Sequence, residues 1–289
     1  SGSHPPIHIP SSNVFNPSSR VVNGVPVQPH NKWPWQVALL YEMNGGLYFI
    51  CGGSLIDPNW VMTAAHCFPY EGTYWALLGA YNLSAIPATA QVIPGQSYIV
   101  HGDYNASNAA NGNDIALLKL SRSAELTDDV QLACLPPAGY CPPHGAECYI
   151  SGWGSTYTGG PASSVLMEGL MPVVDYEHCS QPDWWGSTVN ECHLCAGGYD
   201  VSGCNGDSGG PLNCPTEDGC WKVCGVASFV SARGCNTEKK PTVFTCVGCF
   251  IEWIEENAIL YFFYGRTLIH QTLLGYDCQA LHLMSSLLS

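Results

Sequence analysis

The chain has 289 residues, 16 of them cysteines, and its formal net charge is −14, from 9 Lys+Arg against 23 Asp+Glu. This acidic excess argues against nucleic acid and anionic membranes as partners, because both are negatively charged themselves. Cytosolic proteins rarely contain so many cysteines, and we therefore expect a secreted, disulfide-bonded protein. The chain is long enough for one large β domain or for two small barrels.

Residues 1–20 are rich in Ser, Pro and Asn and show no periodic apolar pattern, which predicts a disordered leader. We expect any secretory signal to precede this leader, since its start has no initiating Met and no signal-peptide core. The leader ends in Arg20, and Val21-Val22-Asn23-Gly24 follow. Taken alone, this junction is an exposed arginine before a strand.

From residue 35 onward, short β-type runs alternate with turn signals, a pattern typical of antiparallel barrels or sandwiches. The predicted strands are 35–42, 49–56, 60–66, 73–81, 115–120, 148–153, 165–174, 210–214, 221–230 and 242–247. One helix is predicted over 250–256. The tail, 259–289, is apolar in patches, but its longest uninterrupted run is shorter than the ~18 residues of a membrane span, and we assign it no function.

The stretch Gly206-Asp207-Ser208-Gly209-Gly210-Pro211 has the composition of a nucleophile loop. A serine hydroxyl needs a base within hydrogen-bond reach and donors for the oxyanion that it creates. Glycines on both sides of Ser208 let the backbone turn tightly and aim its amides at one point. A glycine-rich turn closed by a proline is the structural alternative.

A histidine and an aspartate occur in motifs that suit such a serine. His66 follows the apolar run 60–62 within Thr-Ala-Ala-His-Cys, and Asp114 precedes the apolar strand 115–120. Either residue alone is usually structural, but the ordered set of His66, Asp114 and Ser208 indicates a catalytic triad.

These motifs resemble those of the chymotrypsin/trypsin family, and within it the pancreatic elastases of the elastase 3 (protease E) type. The likeness spans residues 21–258, and the stretches that carry it to the elastases are 33–37, 51–56, 172–176, 184–189 and 240–244. The resemblance implies an all-β fold of two six-stranded antiparallel barrels with a C-terminal helix. It divides the chain into an activation propeptide (1–20), a protease domain (21–258) and an unassigned tail (259–289).

The resemblance also implies the roles of the site residues. Ser208 attacks the scissile carbonyl, His66 takes its proton, and Asp114 orients the imidazole. The backbone amides of Gly206 and Ser208 form the oxyanion hole, and Ser228 supports the aspartate; the structural alternative for Ser228 is an ordinary strand serine.

Three further positions match the walls and base of the family's substrate pocket. Ser202 would lie at the base, where its neutral side chain offers no counter-charge for Lys or Arg. Val230 and Thr242 stand where roomier relatives carry glycine, and their branched side chains would exclude aromatic rings. We therefore expect an elastase-like endopeptidase that cleaves after small residues.

The junction Arg20-Val21 resembles a trypsin-type activation site. Cleavage there would free the Val21 ammonium to pair with Asp207. The resemblance implies that this insertion turns the Gly206 amide into the oxyanion hole. The enzyme would thus be made as a zymogen and activated by a trypsin-like protease.

The resemblance implies four disulfides: Cys51–Cys67, Cys148–Cys214, Cys179–Cys195 and Cys204–Cys235. The pairing of the other cysteines stays open: Cys134, Cys141, Cys192, Cys220, Cys224, Cys246, Cys249 and Cys278. Two isolated CxxC spacings, at 192–195 and 246–249, lack a clear second pair, which argues against zinc.

We expect no metal and no cofactor. In the loop 78–90, calcium-binding relatives carry glutamates where Ala80, Pro87 and Ala90 stand, so this loop offers no carboxylate to Ca²⁺. Asn82 and Asn105 begin N-glycosylation sequons, which also arise by chance.

The expected partners are protein and peptide substrates, without nucleic acid or membrane, and we expect a monomer. Two other interpretations stay open. One is a catalytically impaired, protease-like binding protein, although the intact triad argues against it. The other is an enzyme with chymotrypsin-like cleavage after large apolar residues.

Overall fold

Short runs of β-branched and aromatic residues, bounded by glycine and proline, form the strands of this protein. The computed structural model describes residues 4–8, 24–155, 157–198, 201–204, 206–216 and 219–259. The strands in these ranges are β1 (Ile7–His8), β2 (Val25–Pro26), β3 (Gln36–Met43), β4 (Gly46–Asp57), β5 (Trp60–Thr63), β6 (Tyr74–Leu78), β7 (Gln91–Val100), β8 (Ala116–Leu120), β9 (Glu147–Gly152), β10 (Met167–Val174), β11 (His193–Ala196), β12 (Pro211–Pro215), β13 (Trp221–Phe229) and β14 (Thr242–Cys246). The helices are α1 (Tyr176–Cys179) and α2 (Ile251–Ile259), and single 3-10 turns lie at Ala65–Cys67, Ala109–Asn111, Gly186–Thr188 and Val247–Phe250.

The strands close into two antiparallel barrels. In the first, the hydrogen-bonded order is β4-β3-β6-β7-β8-β5, and β4 also pairs with β5 to close the ring. In the second, the order is β11-β14-β13-β12-β9-β10, closed by the pairing of β10 with β11. The expected all-β fold of two six-stranded barrels with a C-terminal helix is confirmed.

Each barrel has its own apolar centre. Trp60, Met62 and Leu117 are buried in the first barrel, in a cluster that also takes up Ile251 and Ile254 from α2. Ile150, Leu212 and Phe244 are buried in the second. Helix α2 therefore stabilises the first barrel although it follows the last strand of the second.

Polar side chains join the two barrels. Trp35 Nε1 donates a hydrogen bond to Asn213 Oδ1 at 2.8 Å, and Ser151 Oγ donates to Gln36 Oε1 at 2.7 Å. The Gly52 amide in β4 donates to the Ser208 carbonyl at 2.8 Å. The loop of the proposed nucleophile thus lies against the first barrel, although its chain belongs to the second.

Part of the leader is ordered, so the prediction of a wholly disordered leader is wrong for residues 4–8. Strand β1 pairs parallel with β4, with Ile7 opposite Leu47 and His8 opposite Tyr48. The Leu47 amide donates to the Pro6 carbonyl at 2.8 Å, and the rings of His8 and Tyr48 stack with centroids 4.9 Å apart. The early part of β4 has a free edge there, because β5 pairs with β4 only from Ser54 onward.

The disulfides explain most of the cysteine excess. Cys51–Cys67, Cys148–Cys214, Cys179–Cys195 and Cys204–Cys235 are bonded, as are two pairs that the sequence left open, Cys141–Cys246 and Cys192–Cys249. Both CxxC spacings are therefore split, because each of their cysteines joins a different disulfide. Cys224 is a buried thiol in β13, and Cys278 lies outside the described residues.

Four strands were not predicted from the sequence: the two-residue strands β1 and β2, and the longer β7 and β11. β7 contains Pro94 and Gly95, which normally end a strand, but its register shifts between Gly95 and Ser97 and accommodates them as a bulge. β11 has only four residues and is held between β10 and β14. The predicted helix 250–256 is α2, Ile251–Ile259, with the 3-10 turn before it. Neither helix in the described ranges has the length and apolar character needed to cross a membrane.

Candidate active site

His66 and Asp114 meet because the strands next to them pair. β5 and β8 are antiparallel, with Thr63 opposite Ala116, so the residues just after β5 and just before β8 lie at one end of the barrel. His66 sits there in the 3-10 turn Ala65–Cys67. Asp114 Oδ2 lies 2.7 Å from His66 Nδ1, and Asp114 Oδ1 accepts the His66 backbone amide at 3.0 Å. Two contacts therefore fix the imidazole relative to the carboxylate.

The second barrel completes the environment of Asp114. Ser228 Oγ donates to Asp114 Oδ2 at 2.5 Å, and Thr245 Oγ1 donates to the Asp114 carbonyl at 2.9 Å. Burial raises the pKa of Asp114, but the hydrogen bonds from His66 and Ser228 outweigh it, so this pKa lies below its usual value. The carboxylate is therefore ionised at neutral pH and can hold a proton on His66 Nδ1, which leaves Nε2 as the basic nitrogen.

Ser208 is held close to the segment that carries His66. Its carbonyl accepts the Gly52 amide, and the next amide, of Gly209, donates to the Ala227 carbonyl at 2.8 Å. A Cβ on Gly209 would overlap Thr63 Oγ1 and lie 3.1 Å from the Ala64 amide nitrogen, so a side chain there would push the two segments apart. The half-buried Ser208 side chain faces a cavity.

Among the described residues, no hydrogen bond joins Ser208 Oγ to the His66 ring. Such bonds are often long in enzymes without substrate and shorten when substrate binds.

The backbone at Gly206 has a conformation that side chains disfavour. Its φ is +99°, and a Cβ there would lie 3.0 Å from Gly154 Cα. Within the described part of the chain, neither the Gly206 amide nor the Ser208 amide donates to a protein acceptor. Among the described residues, both amides therefore keep a donor that can bind an oxygen atom of another molecule.

Asp207 is a buried carboxylate, only 1% exposed. Its Oδ1 accepts the Gly154 amide and its Oδ2 accepts the Cys204 amide, both at 2.9 Å. Burial raises the pKa of Asp207 to about 6, and the two backbone hydrogen bonds only partly oppose this rise. No cationic side chain in the described ranges forms an ion pair with it.

A cavity of about 230 Å³ opens beside Ser208. Its lining residues are Gly203, Cys204, Asp207, Ser208, Ala227, Ser228, Phe229, Val230 and Thr242. Val230 packs against the Cys204–Cys235 disulfide, and the Phe229 ring meets the Trp185 ring edge-on with centroids 5.3 Å apart. Two side chains of the wall are therefore fixed by packing.

Two of the three predicted pocket residues, Val230 and Thr242, line this cavity, and Ser202 does not. Ser202 is buried against Thr242, with the two hydroxyl oxygens 3.0 Å apart, and it also donates to the Cys235 carbonyl. Thr242 Oγ1 accepts the Gly203 amide at 3.0 Å as well. Of Ser202 and Thr242, only Thr242 lines the cavity, and the hydrogen bonds of its hydroxyl group stay within the protein.

Several contributors to the site escaped sequence reasoning. Gly154 donates to Asp207, Thr245 donates to Asp114, and Phe229 forms part of the cavity wall. Only Gly154 has a recognisable sequence pattern, the Gly-Trp-Gly motif at 152–154. A Cβ on either glycine of this motif would overlap the Asp207 carboxylate. Arg20 and Val21, the predicted activation residues, lie outside the described residues.

The two sequons differ in exposure. Asn105 is exposed, whereas Asn82 is half-buried and bridges to Val165. In the described part of the loop 78–90, no group of three metal-binding side chains occurs.

Comparison with known proteins agrees with this geometry. The family profile described as "Trypsin" matches residues 21–254. The chain is 60% identical over 243 residues to proproteinase E of Bos taurus, covering 83% of this chain and 96% of that protein. It is 60% identical over 243 residues to chymotrypsin-like elastase family member 3B of Homo sapiens, covering 83% and 90%, and 49% identical over 248 residues to chymotrypsin-C of Bos taurus, covering 84% and 91%. The chain therefore belongs to the trypsin family and is an elastase-like serine protease.

Proposed function

We propose that this protein is a secreted digestive endopeptidase, made as a zymogen, that hydrolyses peptide bonds after small residues such as alanine. The observation that carries the proposal is the Asp114–His66 pair, 2.7 Å between Oδ2 and Nδ1, beside the Ser208 loop and its narrow cavity. The identity to proproteinase E and to elastase 3B supports both the zymogen and the digestive role.

The proposed reaction begins at Ser208. His66 Nε2 removes the proton of Ser208 Oγ as this oxygen attacks the scissile carbonyl carbon, and the tetrahedral intermediate places a negative charge on the former carbonyl oxygen. The amides of Gly206 and Ser208 then donate to that oxygen. His66 next gives its proton to the leaving amine, and a water molecule repeats the sequence to release the acyl group.

Asp114 and Ser228 act on the histidine. The ionised carboxylate keeps the proton on Nδ1 and stabilises the imidazolium that forms during attack. The Ser228 hydroxyl, 2.5 Å from Oδ2, orients that carboxylate. Loss of one oxyanion donor typically costs a factor of about 10²–10³ in rate.

The proposed specificity follows from the cavity. Val230 and Thr242 are branched, and Thr242 is buried and engaged in hydrogen bonds, so an aromatic ring would have to displace packed side chains. The Ser202 side chain is neutral, and its hydroxyl is already hydrogen-bonded to the Cys235 carbonyl and to Thr242. A Lys or Arg side chain would therefore enter the cavity without a counter-ion.

Activation is proposed to proceed by cleavage of the Arg20–Val21 bond. Asp207 supports this step, since it is a buried carboxylate that meets no described cation. The new Val21 ammonium would supply the missing charge and fix the Gly206 amide. The proposed division is therefore a propeptide (1–20), a protease domain (21–258) and a tail (259–289) without assigned function, in a monomer that acts on proteins and peptides.

The test is kcat/KM of the trypsin-activated enzyme on matched peptide anilides that differ only in the residue before the cleaved bond. We expect Ala and Val to exceed Phe, and Phe to exceed Lys by far. Val230→Gly combined with Thr242→Gly should shift the preference toward Phe. Ser208→Ala is the inactive control. Equal turnover of the Ala and Phe substrates by the parent enzyme would reject the specificity, and absence of turnover would favour a binding protein.

A further inference from the structure

Two histidines and an aspartate converge on the surface of the second barrel, and the protease mechanism does not use them. Asp175 Oδ1 lies 2.6 Å from His178 Nδ1 and 3.9 Å from His144 Nδ1. One donor atom from each of the three residues lies within 4.8 Å of the others. The two imidazoles stack with ring centroids 4.6 Å apart and an interplanar angle of 21°.

The backbone that carries these side chains is fixed. His144 lies in a turn that is fixed to the end of β10, because Gly145 N donates to the Val173 carbonyl at 2.8 Å and Val173 N donates to the Ala146 carbonyl at 2.9 Å. On the other side, α1 ends at Cys179, which is bonded to Cys195 in β11. The three side chains are therefore presented by two segments that cannot easily separate.

The Asp175 carboxylate is oriented before any ion binds. It caps α1, accepting the His178 amide at Oδ1 at 3.0 Å. The Asp175 amide in turn lies 3.4 Å from His144 Nδ1 and donates to it. This long hydrogen bond uses the lone pair of His144 Nδ1 and would be exchanged for a bond to the ion, while the cap on α1 keeps the carboxylate in place.

The distances from Asp175 lie near those of a tetrahedral transition-metal site, and the stacked imidazoles would rotate apart so that both Nδ1 lone pairs point at the ion. Zn²⁺ binds imidazole nitrogen and carboxylate oxygen at about 2.0–2.2 Å, which places neighbouring ligand atoms about 3.4 Å apart. The two observed separations from Asp175 Oδ1, 2.6 and 3.9 Å, lie on either side of that value. All three side chains are partly exposed, between 37% and 51%, so side-chain rotation can absorb the difference.

We propose that His144, Asp175 and His178 form a binding site for a divalent transition-metal ion, and that Zn²⁺ is the preferred ion. Nδ1 of each histidine and a carboxylate oxygen of Asp175 would coordinate the ion, and water would complete the tetrahedron. Imidazole nitrogen favours such ions over Ca²⁺ and Mg²⁺, which prefer oxygen ligands. The net charge of −14 favours cation binding further.

The other two groups of potential metal ligands in the described residues are already committed to disulfides. In Cys51, His66 and Cys67 both thiols are bonded to each other, and in Cys141, Cys246 and Cys249 all three are bonded. Only the group of His144, Asp175 and His178, within the described ranges, keeps all its donor atoms. Sequence patterns do not indicate this group, because His144 stands far from Asp175 and His178 along the chain.

The experiment is isothermal titration of ZnCl₂ into the chelator-treated full chain at pH 7.5, with Ser208→Ala to prevent self-digestion. We expect one ion per chain, and an at least tenfold higher dissociation constant in His144→Ala, in His178→Ala and in Asp175→Asn. The asparagine keeps the cap of α1, so its loss of affinity cannot come from unfolding of the helix. Zn²⁺ should raise the melting temperature of the parent protein, whereas Ca²⁺ and Mg²⁺ should leave it unchanged.

Two matched variants locate the site. His30→Ala, which removes an exposed imidazole elsewhere, should bind Zn²⁺ as the parent does. His66→Ala should also bind normally, because the catalytic imidazole is not a ligand in this proposal. The proposal is overturned if the parent binds no Zn²⁺ at 100 μM, if binding survives in all three ligand variants, or if it disappears in His66→Ala.

Discussion

Replacement of the buried Asp207 by asparagine should have opposite effects on the stability and on the activity of this protein. In the uncleaved chain, burial raises the pKa of Asp207 from 3.8 to about 6. Since a shift of one pKa unit corresponds to about 1.4 kcal/mol, ionisation of this carboxyl destabilises the uncleaved fold by about 3 kcal/mol. An asparagine side chain at this position carries no charge and would avoid that loss.

The raised pKa of Asp207 determines how the free energy of unfolding changes with pH. A carboxyl whose folded pKa is raised stabilises the fold below its unfolded pKa, and this stabilisation is lost as the pH rises through the folded value. Between pH 3.5 and pH 8 the free energy of unfolding should therefore change in favour of Asp207→Asn by about 3 kcal/mol. Any constant loss from a weakened hydrogen bond to Gly154 or Cys204 cancels in this difference.

The assay is urea denaturation of the uncleaved protein at both pH values, in an Arg20→Gln background that prevents activation. Asp128→Asn, at an exposed carboxylate, is the control and should show no such change. After cleavage of the Arg20-containing chain, Asp207→Asn should be processed at the normal rate and yet remain nearly inactive, because the Val21 ammonium finds no partner. A pH-independent difference in stability would contradict the raised pKa of Asp207, and full activity of the cleaved variant would contradict its pairing with Val21.

Three further outcomes follow from the site and its surroundings. Activity of the cleaved enzyme should fall at alkaline pH. The Val21 α-amino group has an ordinary pKa of about 7.7–8.0, and pairing with Asp207 raises this pKa, so the ammonium is lost only above the raised value. A flat kcat/KM profile up to pH 11 would contradict the ion pair. Millimolar Ca²⁺ should leave the melting temperature unchanged, since the loop 78–90 has no carboxylates, and a clear rise would refute this. The Cys224 thiol should not react with a disulfide reagent in the native protein, because burial raises its pKa to about 12. Cys224→Ala should keep most of the activity. Rapid labelling of Cys224 in the native protein would contradict its burial.

The sequence predicted those features that depend on local patterns. His66 and Asp114 each stand in a short motif beside an apolar run, and Ser208 stands in a glycine-rich loop. The pairing of β5 with β8 brings His66 and Asp114 together. The strands β3, β4, β8 and β10 were likewise visible as runs of apolar residues. Apolar runs bounded by turn residues suffice there because most residues of these strands are buried.

Features that depend on register or on distant packing were not predictable. The disulfides Cys141–Cys246 and Cys192–Cys249 join segments far apart in sequence, and spacing alone does not select their partners. The contact between the Ser202 and Thr242 side chains likewise gives no signal in the sequence, because the two residues are far apart along the chain. Strand β1 was not predicted either, because a strand of two residues that pairs with the edge of β4 is too short to show a periodic pattern.

We propose that Ser208 becomes a nucleophile only after the Arg20–Val21 bond is cleaved. The most direct test of this proposal is the rate at which a fluorophosphonate labels Ser208, measured by mass spectrometry on the uncleaved and the trypsin-cleaved protein side by side. We predict rapid labelling of Ser208 after cleavage, labelling at least a hundredfold slower before it, and none in Ser208→Ala. Equal rates before and after cleavage would contradict the zymogen mechanism, and no labelling in either form would contradict the catalytic assignment itself.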